Sequence, residues 1–551
     1  MTSWRKNILL LLLAAALITA PVIIFGIPKG NDLQQHFQFA VAFRDSLAHG
    51  VLYPSWASDV NSGFGDVGVR FYPPAAYYLL VLLRAVSNNW AYATAATVCA
   101  LFFVGAVGVY LWCREWFGPR ASLIGGSLYV FVPYHVNEIY NAFTFAEFAA
   151  ACVLPFCFLC VTRVLKRGKL VDSIGLAVSL ALLILTHLPL AVIGSMSLVA
   201  YVLALWIKDR GIVSVARLFG SVCAGLLLSA FYWVRMLSEL GLVNHTGEGF
   251  ISGDYDFRNN FVWSLFYSPA EQYSERSLGF LDLMLFVTLA MAIVAGVFFY
   301  RRVERSKRGP VNALLTVLAA AIFFATPLSA PIWERVDFLQ RTQFPWRWMA
   351  TISLVCSVFV AAGAEQINGL GEPALRRIAM VLGGTALVSV TFTVAQVIRP
   401  AIFLEPVSFD QTVDALATAN SCECWWPIWA KKAALSEATR VAGNGRKITI
   451  ESWEATDRIF QVSAGDSDMV RVATFYYPNW HARVNGRDAP VSHDDNGAIV
   501  VPIPTEDSKV ELYFQEPKIT RIATYFSAAA WLIFAAFGLS RAVTAARIKL
   551  R

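Results

Sequence analysis

An aspartate and a histidine stand four residues apart directly after the first apolar run, in the stretch GNDLQQHFQF that begins at Gly30. If this stretch is helical, Asp32 and His36 share a face, because residues at i and i+4 are neighbours on a helix. A carboxylate and an imidazole placed together at a membrane surface could do chemistry there. The alternative is that Asn31 or Asp32 only caps the helix, since both residue types accept hydrogen bonds from its first free N–H groups.

Other ionisable residues fall at the ends of apolar runs, on what we predict to be the same side of a membrane. Ionisable side chains are costly there, so their accumulation on one side suggests a binding site, although loops are polar in most proteins. As substrate-binding candidates we select Asp59, His135, Glu138, His187, Arg235, Arg341 and Arg347.

Arg347 lies in the stretch FPWRW that opens an apolar run. A guanidinium offers paired donors that match a lipid phosphate. The alternative is an aromatic belt with a snorkelling arginine.

Metal and nucleotide signals are weak. Asp254-Tyr255-Asp256 could hold a divalent cation through carboxylate oxygens, but a lone pair of acids is not specific, so we assign no metal ligands. Cys422 and Cys424 are too close together for an ordinary zinc pair and do not make a disulfide framework. Trp425, Trp426 and Trp429 beside them could stack on a sugar or pack where an outer domain meets the membrane. The chain has no Walker A, H-E-x-x-H or G-x-S-x-G motif.

The composition is that of a polytopic membrane protein. The chain has 551 residues, of which 57% are hydrophobic and 15% charged, and its mean hydropathy is +0.54. The net charge of +7 needs no nucleic-acid partner, because most Lys and Arg lie in short loops that set orientation. We predict twelve spans, at 8–26, 91–112, 120–134, 145–162, 171–187, 189–206, 213–233, 280–300, 311–328, 345–364, 377–397 and 521–541.

A thirteenth apolar piece, 74–86, is short and holds Arg84. If it does not span, every basic loop falls on one side of the membrane, which the positive-inside rule assigns to the cytoplasm together with both termini. We therefore predict an interfacial or re-entrant piece. The predicted domains are a transmembrane domain at 1–397 with a long outer loop at 27–90, an extracytoplasmic domain at 398–520, and a last helix with a basic tail at 521–551.

The second part of the 398–520 region alternates apolar and polar residues in short runs separated by turn signals such as NGR at 485–487. Alternation with period two and short turns predicts an antiparallel β-sandwich.

The first 80 residues resemble a known family. Asp32 and His36 are followed by the elements GVLYPSW from Gly50, GFG from Gly63 and YPP from Tyr72, with THLP at 186–189 and QFPWRW at 343–348 further on. This order resembles bacterial membrane proteins labelled "6-pyruvoyl-tetrahydropterin synthase-related". The architecture is similar to that of GT-C glycosyltransferases, which are polytopic and use an acidic residue in the first outer loop.

The resemblance implies a membrane glycosyltransferase of the cell inner (plasma) membrane with a sugar donor linked to polyprenyl phosphate. Asp32 would be the loop carboxylate, His36 would assist or position, and Arg235, Arg341 or Arg347 would hold the donor phosphate. Membrane lipids are the other expected partners, and a divalent cation remains open as a cofactor. The alternative is a non-enzymatic protein, namely a lipid-carrier flippase, a transporter or an envelope-assembly factor. The clean apolar runs favour a surface site over a pore, because transporters place charges at mid-membrane.

Overall fold

The computed structural model describes residues 3–206, 212–246, 253–262, 275–302, 308–366, 371–437 and 439–550. The described chain is mostly helical and ends in a sheet-rich domain followed by one long helix, which confirms the predicted fold class. The longer helices are Ser3–Phe25, Leu33–Ala48, Ala75–Ser87, Trp90–Cys113, Pro119–Val130, Phe145–Arg167, Leu170–Thr186, Leu188–Trp206, Ile212–Leu228, Ala230–Glu239, Glu275–Tyr300, Gly309–Ala325, Met349–Glu365, Glu372–Thr393, Phe409–Thr418 and Lys518–Leu550.

Within these ranges, seven helices are long and apolar enough to cross a membrane, and the number rises to nine if two bent pairs each count as one span. All twelve predicted segments coincide with helix. Pro119–Val130 and Leu170–Thr186 have only 12 and 17 residues, short of the ~20 that a bilayer core requires. Glu372–Thr393 is not among the seven either. Twelve spans therefore stay a prediction.

The two bent pairs turn where the predicted spans reach the outer loops. Val213–Leu228 meets Ala230–Leu242 at 70°, and Gly309–Ala325 meets Pro327–Trp333 at 83°. The piece predicted to be interfacial forms the helix Ala75–Ser87 of 13 residues. Such a helix rises about 20 Å, less than the ~30 Å thickness of a hydrocarbon core. Its length is therefore consistent with the prediction that it does not span.

The C-terminal domain consists of two antiparallel sheets. One orders its strands Val441–Ala442, Met469–Phe475, Ala498–Pro502 and Ser492–His493, and the other orders Ile448–Trp453, Asp457–Val462, Ser508–Phe514, Trp480–Val484 and Arg487–Ala489. Along Trp480–Val484, buried and exposed residues alternate strictly, as a half-buried strand requires. The predicted NGR turn has positive φ at Asn485 and Gly486, the requirement of a tight two-residue hairpin. The predicted sandwich is confirmed.

The segment between the last central helix and the sandwich returns to the first outer loop. Phe403–Leu404 pairs antiparallel with Ile27–Pro28. In the helix Leu33–Ala48, which we call the site helix, Gln38 donates hydrogen bonds of 3.1 Å to the carbonyls of Leu416 and Ala419. This part of the predicted 398–520 domain therefore packs on the outer loop, and the sheets begin only at Val441. The domain boundaries stay predictions.

Candidate functional site

Backbone contacts fix the position of Asp32 at the start of the site helix. Its N–H donates to the carbonyl of Ala142 at 3.1 Å. Two residues earlier, a Cβ on Gly30 would lie 2.5 Å from backbone atoms of Ala142 and Phe143, so only glycine fits this approach. The outer loop is thereby held against the turn that precedes the helix Phe145–Arg167.

Asp32 occupies the N-cap position of the site helix, but its side chain makes no capping hydrogen bond. The capping alternative therefore has no support in the geometry. The carboxylate is half-buried, and burial raises its pKa to about 6, while the charge of Arg347 lowers the pKa and that of Glu147 raises it. Asp32 is still largely ionised at pH 7.

The two charges that act on Asp32 form a buried pair. Arg347 Nε donates to Glu147 Oε2 at 2.8 Å, and the Tyr134 hydroxyl donates to Glu147 Oε1 at 2.7 Å. Arg347 Nη1 donates to the carbonyl of Thr342 at 2.6 Å. The guanidinium carbon lies 4.6 Å from the ring centre of Phe344. Arg347 Nη2 makes no hydrogen bond to the described residues, so one edge of the guanidinium is available to a ligand.

His36 is buried among aromatic rings one helical turn from Asp32. Its Nδ1 lies 2.6 Å from the hydroxyl of Tyr77, and the ring of Tyr72 stands edge-on to the imidazole with centroids 5.6 Å apart. Burial lowers the pKa of His36 to about 3, so the imidazole is neutral at physiological pH. His36 can donate or accept a hydrogen bond but is a poor candidate for a cationic partner.

His187 directly precedes the helix Leu188–Trp206 and is also buried. Its Nδ1 accepts a hydrogen bond of 3.3 Å from the N–H of Leu190. Burial lowers its pKa, and the charges of Arg347 and His36 lower it further. His187 therefore lies within electrostatic range of both Arg347 and His36.

His135 and Glu138 form a second buried pair, with Nδ1 and Oε2 3.0 Å apart. The π-helix Glu138–Ala142 follows, which places this pair at the base of the turn that receives Asp32. Such single π turns are frequent at functional sites. The charges of Glu147 and Arg347 act on Glu138, so the pair adjoins the Arg347 neighbourhood.

Arg341 is exposed at the outer end of the same segment as Arg347. The pKa of His245 is lowered to about 4, mainly because the ring is buried. The charges of Arg341 and Arg347 also lower it. The imidazole of His245 stacks on Trp425 with centroids 4.5 Å apart. Arg341 and Arg347 therefore both lie within electrostatic range of His245.

Arg235 and Asp59 lie in other surroundings. Arg235 Nη2 is 3.2 Å from Glu516 Oε1, and its guanidinium covers the ring of Tyr53 at 4.3 Å. Asp59 is exposed and accepts a hydrogen bond of 3.0 Å from Ser58. Its charge acts on Arg458 of the sandwich. Neither has a recorded contact with Asp32 or Arg347 in the described ranges, and their binding roles stay predictions.

The neighbour of Arg235 belongs to a buried charge network that joins the outer loop to the sandwich. Arg70 Nε and Nη2 donate to the carboxylate of Glu239 at 2.8 and 2.6 Å, and Nη1 and Nη2 donate to that of Glu516 at 2.6 and 2.9 Å. Tyr477 of the sandwich donates to Glu239 at 2.8 Å. Burial raises the pKa of Glu516, but Arg70 and Arg235 outweigh it and lower the pKa to about 2. This network holds the loop that carries Asp32 against the β-domain.

Three residues near Asp32 are not among those selected from the sequence: Tyr72, Tyr77 and Glu147. The tyrosines belong to the FYPPAAYY stretch, where spacing alone does not separate site residues from packing residues. Glu147 had a usable signal, because an acid at the start of an apolar run is expensive unless it is paired or functional.

The remaining sequence signals have different outcomes. Cys422 and Cys424 form a disulfide bond, which the spacing does not predict. Asp256 is paired with Arg258 at 3.3 Å, whereas the side chain of Asp254 lies outside the described residues. No cluster of three or more His, Cys, Asp or Glu suited to a metal occurs in the described part of the chain. The divalent cation stays a prediction.

A protein-family model matches more than half of the chain. The model described as "6-pyruvoyl-tetrahydropterin synthase related domain; membrane protein" matches residues 69–397, more than half of the chain. An uncharacterized protein from Lactococcus lactis subsp. cremoris is 21% identical over 267 residues, which cover 46% of this chain and 42% of that relative. The chain thus spans less than half the length of the curated relative it matches.

Three solved structures are similar to the fold. ArnT from Cupriavidus metallidurans bound to undecaprenyl phosphate has a TM-score of 0.47 at 14% identity, over 76% of this chain and 70% of ArnT. The arabinofuranosyltransferase AftD from Mycobacteria has a TM-score of 0.49 at 14% identity, over 75% and 28%. The oligosaccharyltransferase of Archaeoglobus fulgidus has a TM-score of 0.41 at 13% identity, over 75% and 56%. These proteins are GT-C glycosyltransferases, the class that the sequence resembles.

Proposed function

We propose that this chain, which belongs to the 6-pyruvoyl-tetrahydropterin synthase related family of membrane proteins, is a membrane glycosyltransferase. It moves a sugar from a polyprenyl-phosphate-linked donor to an acceptor hydroxyl on the extracytoplasmic face. The observation that carries the proposal is that the charge of Arg347 acts on Asp32. Asp32 is a half-buried carboxylate without a side-chain hydrogen bond to the described residues, and Nη2 of Arg347 likewise makes none to them.

Asp32 acts as the general base. A pKa of about 6 keeps it mostly ionised at neutral pH and makes it a stronger base than an ordinary aspartate. It accepts the proton of the acceptor hydroxyl as that oxygen attacks the anomeric carbon. The bond between the anomeric carbon and the phosphate oxygen breaks, and the products are the glycoside and the lipid phosphate.

Arg347 stabilises the departing phosphate. Its Nε and Nη1 are held by Glu147 and Thr342, so Nη2 presents a fixed donor to negative charge that develops on the leaving oxygen. Arg341 adds a second cation at the exposed side. Because Arg347 lies at the start of the apolar span Pro345–Glu365, an anionic group held there sits at the membrane surface, where the phosphate of a lipid carrier lies.

The donor class follows from the same placement. The chain has no Walker A loop, and a donor activated on a lipid needs none. The proposal includes the orientation predicted from the basic loops: inner membrane, both termini cytoplasmic, and the sandwich and Asp32 outside.

The test uses the full chain purified into lipid nanodiscs with a panel of polyprenyl-phosphate sugars. Donor loss is followed by mass spectrometry for the wild type, Asp32→Asn and the matched control Asp45→Asn. Asp45 lies on the same helix but pairs with Arg44 at 2.7 Å and is well exposed. Loss of one catalytic base is expected to lower the rate by about 100- to 10,000-fold.

The proposal predicts that the wild type and Asp45→Asn consume donor and that Asp32→Asn does not. Equal consumption by Asp32→Asn would remove Asp32 from the chemistry. Binding of a donor without consumption by any protein would overturn the transferase in favour of the lipid-carrier flippase, transporter or envelope-assembly factor.

A further inference from the structure

Two buried histidines, His36 and His187, each have one ring nitrogen occupied by the protein, and His187 lies within electrostatic range of both His36 and Arg347. His36 is 2% exposed and His187 is 5% exposed. In each ring the Nδ1 atom has a partner, Tyr77 or the backbone of Leu190. Neither Nε2 atom has a hydrogen-bond partner among the described residues. A neutral imidazole has one donor and one acceptor, so the Nδ1 partner decides what Nε2 offers.

The tautomer of His187 follows directly from its partner. The N–H of Leu190 can only donate, so Nδ1 of His187 carries the lone pair. The proton is therefore on Nε2. This contact also satisfies a free N–H in the first turn of the helix Leu188–Trp206, as a capping side chain does.

The tautomer of His36 follows from counting unsatisfied atoms. Tyr77 is fully buried, and its hydroxyl makes no other recorded hydrogen bond in the described ranges. If the hydroxyl donates to Nδ1, only the Nε2 proton of His36 lacks a partner. If Nδ1 donates instead, both the Tyr77 proton and the Nε2 lone pair lack one. Unsatisfied buried polar groups are costly, so the first arrangement is favoured.

We propose that His36 and His187 are neutral Nε2–H donors to the phosphate oxygens of the ligand bound by Arg347, and that Tyr77 is the positioning residue that fixes the His36 tautomer. This inference rests on the proposed function for the identity of the site. It adds His36, His187 and Tyr77, to which the proposed sugar transfer assigns no role. A phosphate has more acceptor oxygens than one guanidinium edge can satisfy. Neutral donors can supply the remaining hydrogen bonds without pairing with Asp32 and Glu147.

Tyr72 is one of the aromatic rings around His36. Its ring is only half-buried and stands edge-on to the imidazole. The aromatic rings of Phe143 and Phe145 also contact the imidazole but are buried.

The experiment measures binding of undecaprenyl phosphate to the full chain in nanodiscs at pH 7.5, with undecaprenol as the phosphate-free control lipid. Binding is a readout independent of sugar transfer, so a wild type that binds lipid phosphate but transfers no sugar refutes the proposed function without refuting the donor set. Inorganic phosphate as competitor separates the lipid phosphate from the free anion. If it binds equally well, the anion site stands and its ligand is free phosphate.

Two variants, at His187 and at Tyr77, remove the proposed binding role of the residue and keep its structural role. His187→Ser keeps an oxygen that can cap the helix but removes the Nε2–H donor. This variant should have the thermal stability of the wild type and bind lipid phosphate about 10- to 100-fold more weakly. Tyr77→Phe keeps the buried ring and removes the hydroxyl. The matched control is Tyr201→Phe, which loses a buried hydroxyl that contacts Thr162 at 2.9 Å and should bind normally.

A double-mutant cycle tests whether Tyr77 acts through His36. Tyr77→Phe in a His36→Phe background should cause no further loss, because no tautomer remains to be fixed. Additive losses would overturn the positioning role of Tyr77. Wild-type affinity in His187→Ser, or equal binding of undecaprenol, would overturn the donor set.

Discussion

Arg347 Nε and Glu147 Oε2 are 2.8 Å apart in a pair whose side chains are 9% and 1% exposed. The pair joins the start of the span Pro345–Glu365 to the start of the helix Phe145–Arg167. Both charges act on Asp32, in opposite directions. The pair therefore tunes the proposed base as well as holding Arg347 in place.

The first prediction concerns the pH dependence of sugar transfer. Ionised Asp32 is the active form, so the rate should fall as pH falls through about 6. The charge of Glu147 raises the pKa of Asp32, so Glu147→Gln should move this acidic limb to lower pH. The measurement is the pH–rate profile of both proteins at saturating donor. A limb that stays in place, or that moves to higher pH, would contradict the assignment.

The second prediction concerns stability. The folded pKa of Asp32 is raised, so its contribution to folding is fully present below its unfolded pKa of ~3.9 and is lost as pH rises through about 6. Asp32→Asn removes the cost of burying an ionised carboxylate. At pH 7.5 its free energy of unfolding should be equal to that of the wild type or higher, with a gain of at most about 2–3 kcal/mol. The gain should shrink at pH 5. Thermal unfolding in detergent at both pH values checks it, and a marked loss of stability at pH 7.5 would favour a structural role.

The third prediction concerns the charge network beneath the sandwich. Arg70→Met removes the buried cationic partner of Glu239 and one of the two arginines that contact Glu516, and it should cost about 3–5 kcal/mol. Arg483→Met breaks an exposed pair with Asp488 and should leave the stability almost unchanged. Chemical unfolding of both variants measures the difference. Similar stabilities would show that the network does not hold the domains together.

The fourth prediction concerns the close approach at Gly30. Gly30→Ala places a Cβ 2.5 Å from the backbone at Phe143, so the start of the site helix must shift and transfer activity should fall. At Gly241 an added Cβ meets nothing within 4 Å, so Gly241→Ala is the control. Donor consumption by the two variants is compared with the wild type. Full activity in Gly30→Ala would separate the position of Asp32 from function.

The fifth prediction concerns topology. A reporter fused after Val86 should lie outside the cytoplasm, because the helix Ala75–Ser87 is too short to span. Paired reporters that are active only in the cytoplasm or only outside it make the measurement. A cytoplasmic signal would contradict the prediction that this helix does not span the membrane.

The sequence alone determined the membrane character, the position of the helices and the β-sandwich. These features depend on local patterns, namely long apolar runs and period-two alternation, and each segment carries its own pattern. The family was also readable, because its motifs in the first 80 residues are short and ordered. The number of full spans was not, since short and bent helices such as Leu170–Thr186 give the same apolar signal as spanning ones.

Only the tertiary structure decided which polar residues meet. The charges of Arg347 and Glu147 act on Asp32, although both residues are more than a hundred residues away along the chain. Arg235 forms an ion pair with Glu516 instead. Residue type and spacing cannot predict this, because electrostatic partners are set by how helices pack across the fold. The pKa of Asp32 and the fixed tautomers of His36 and His187 likewise depend on burial and on one neighbouring atom, and neither is written in the local sequence.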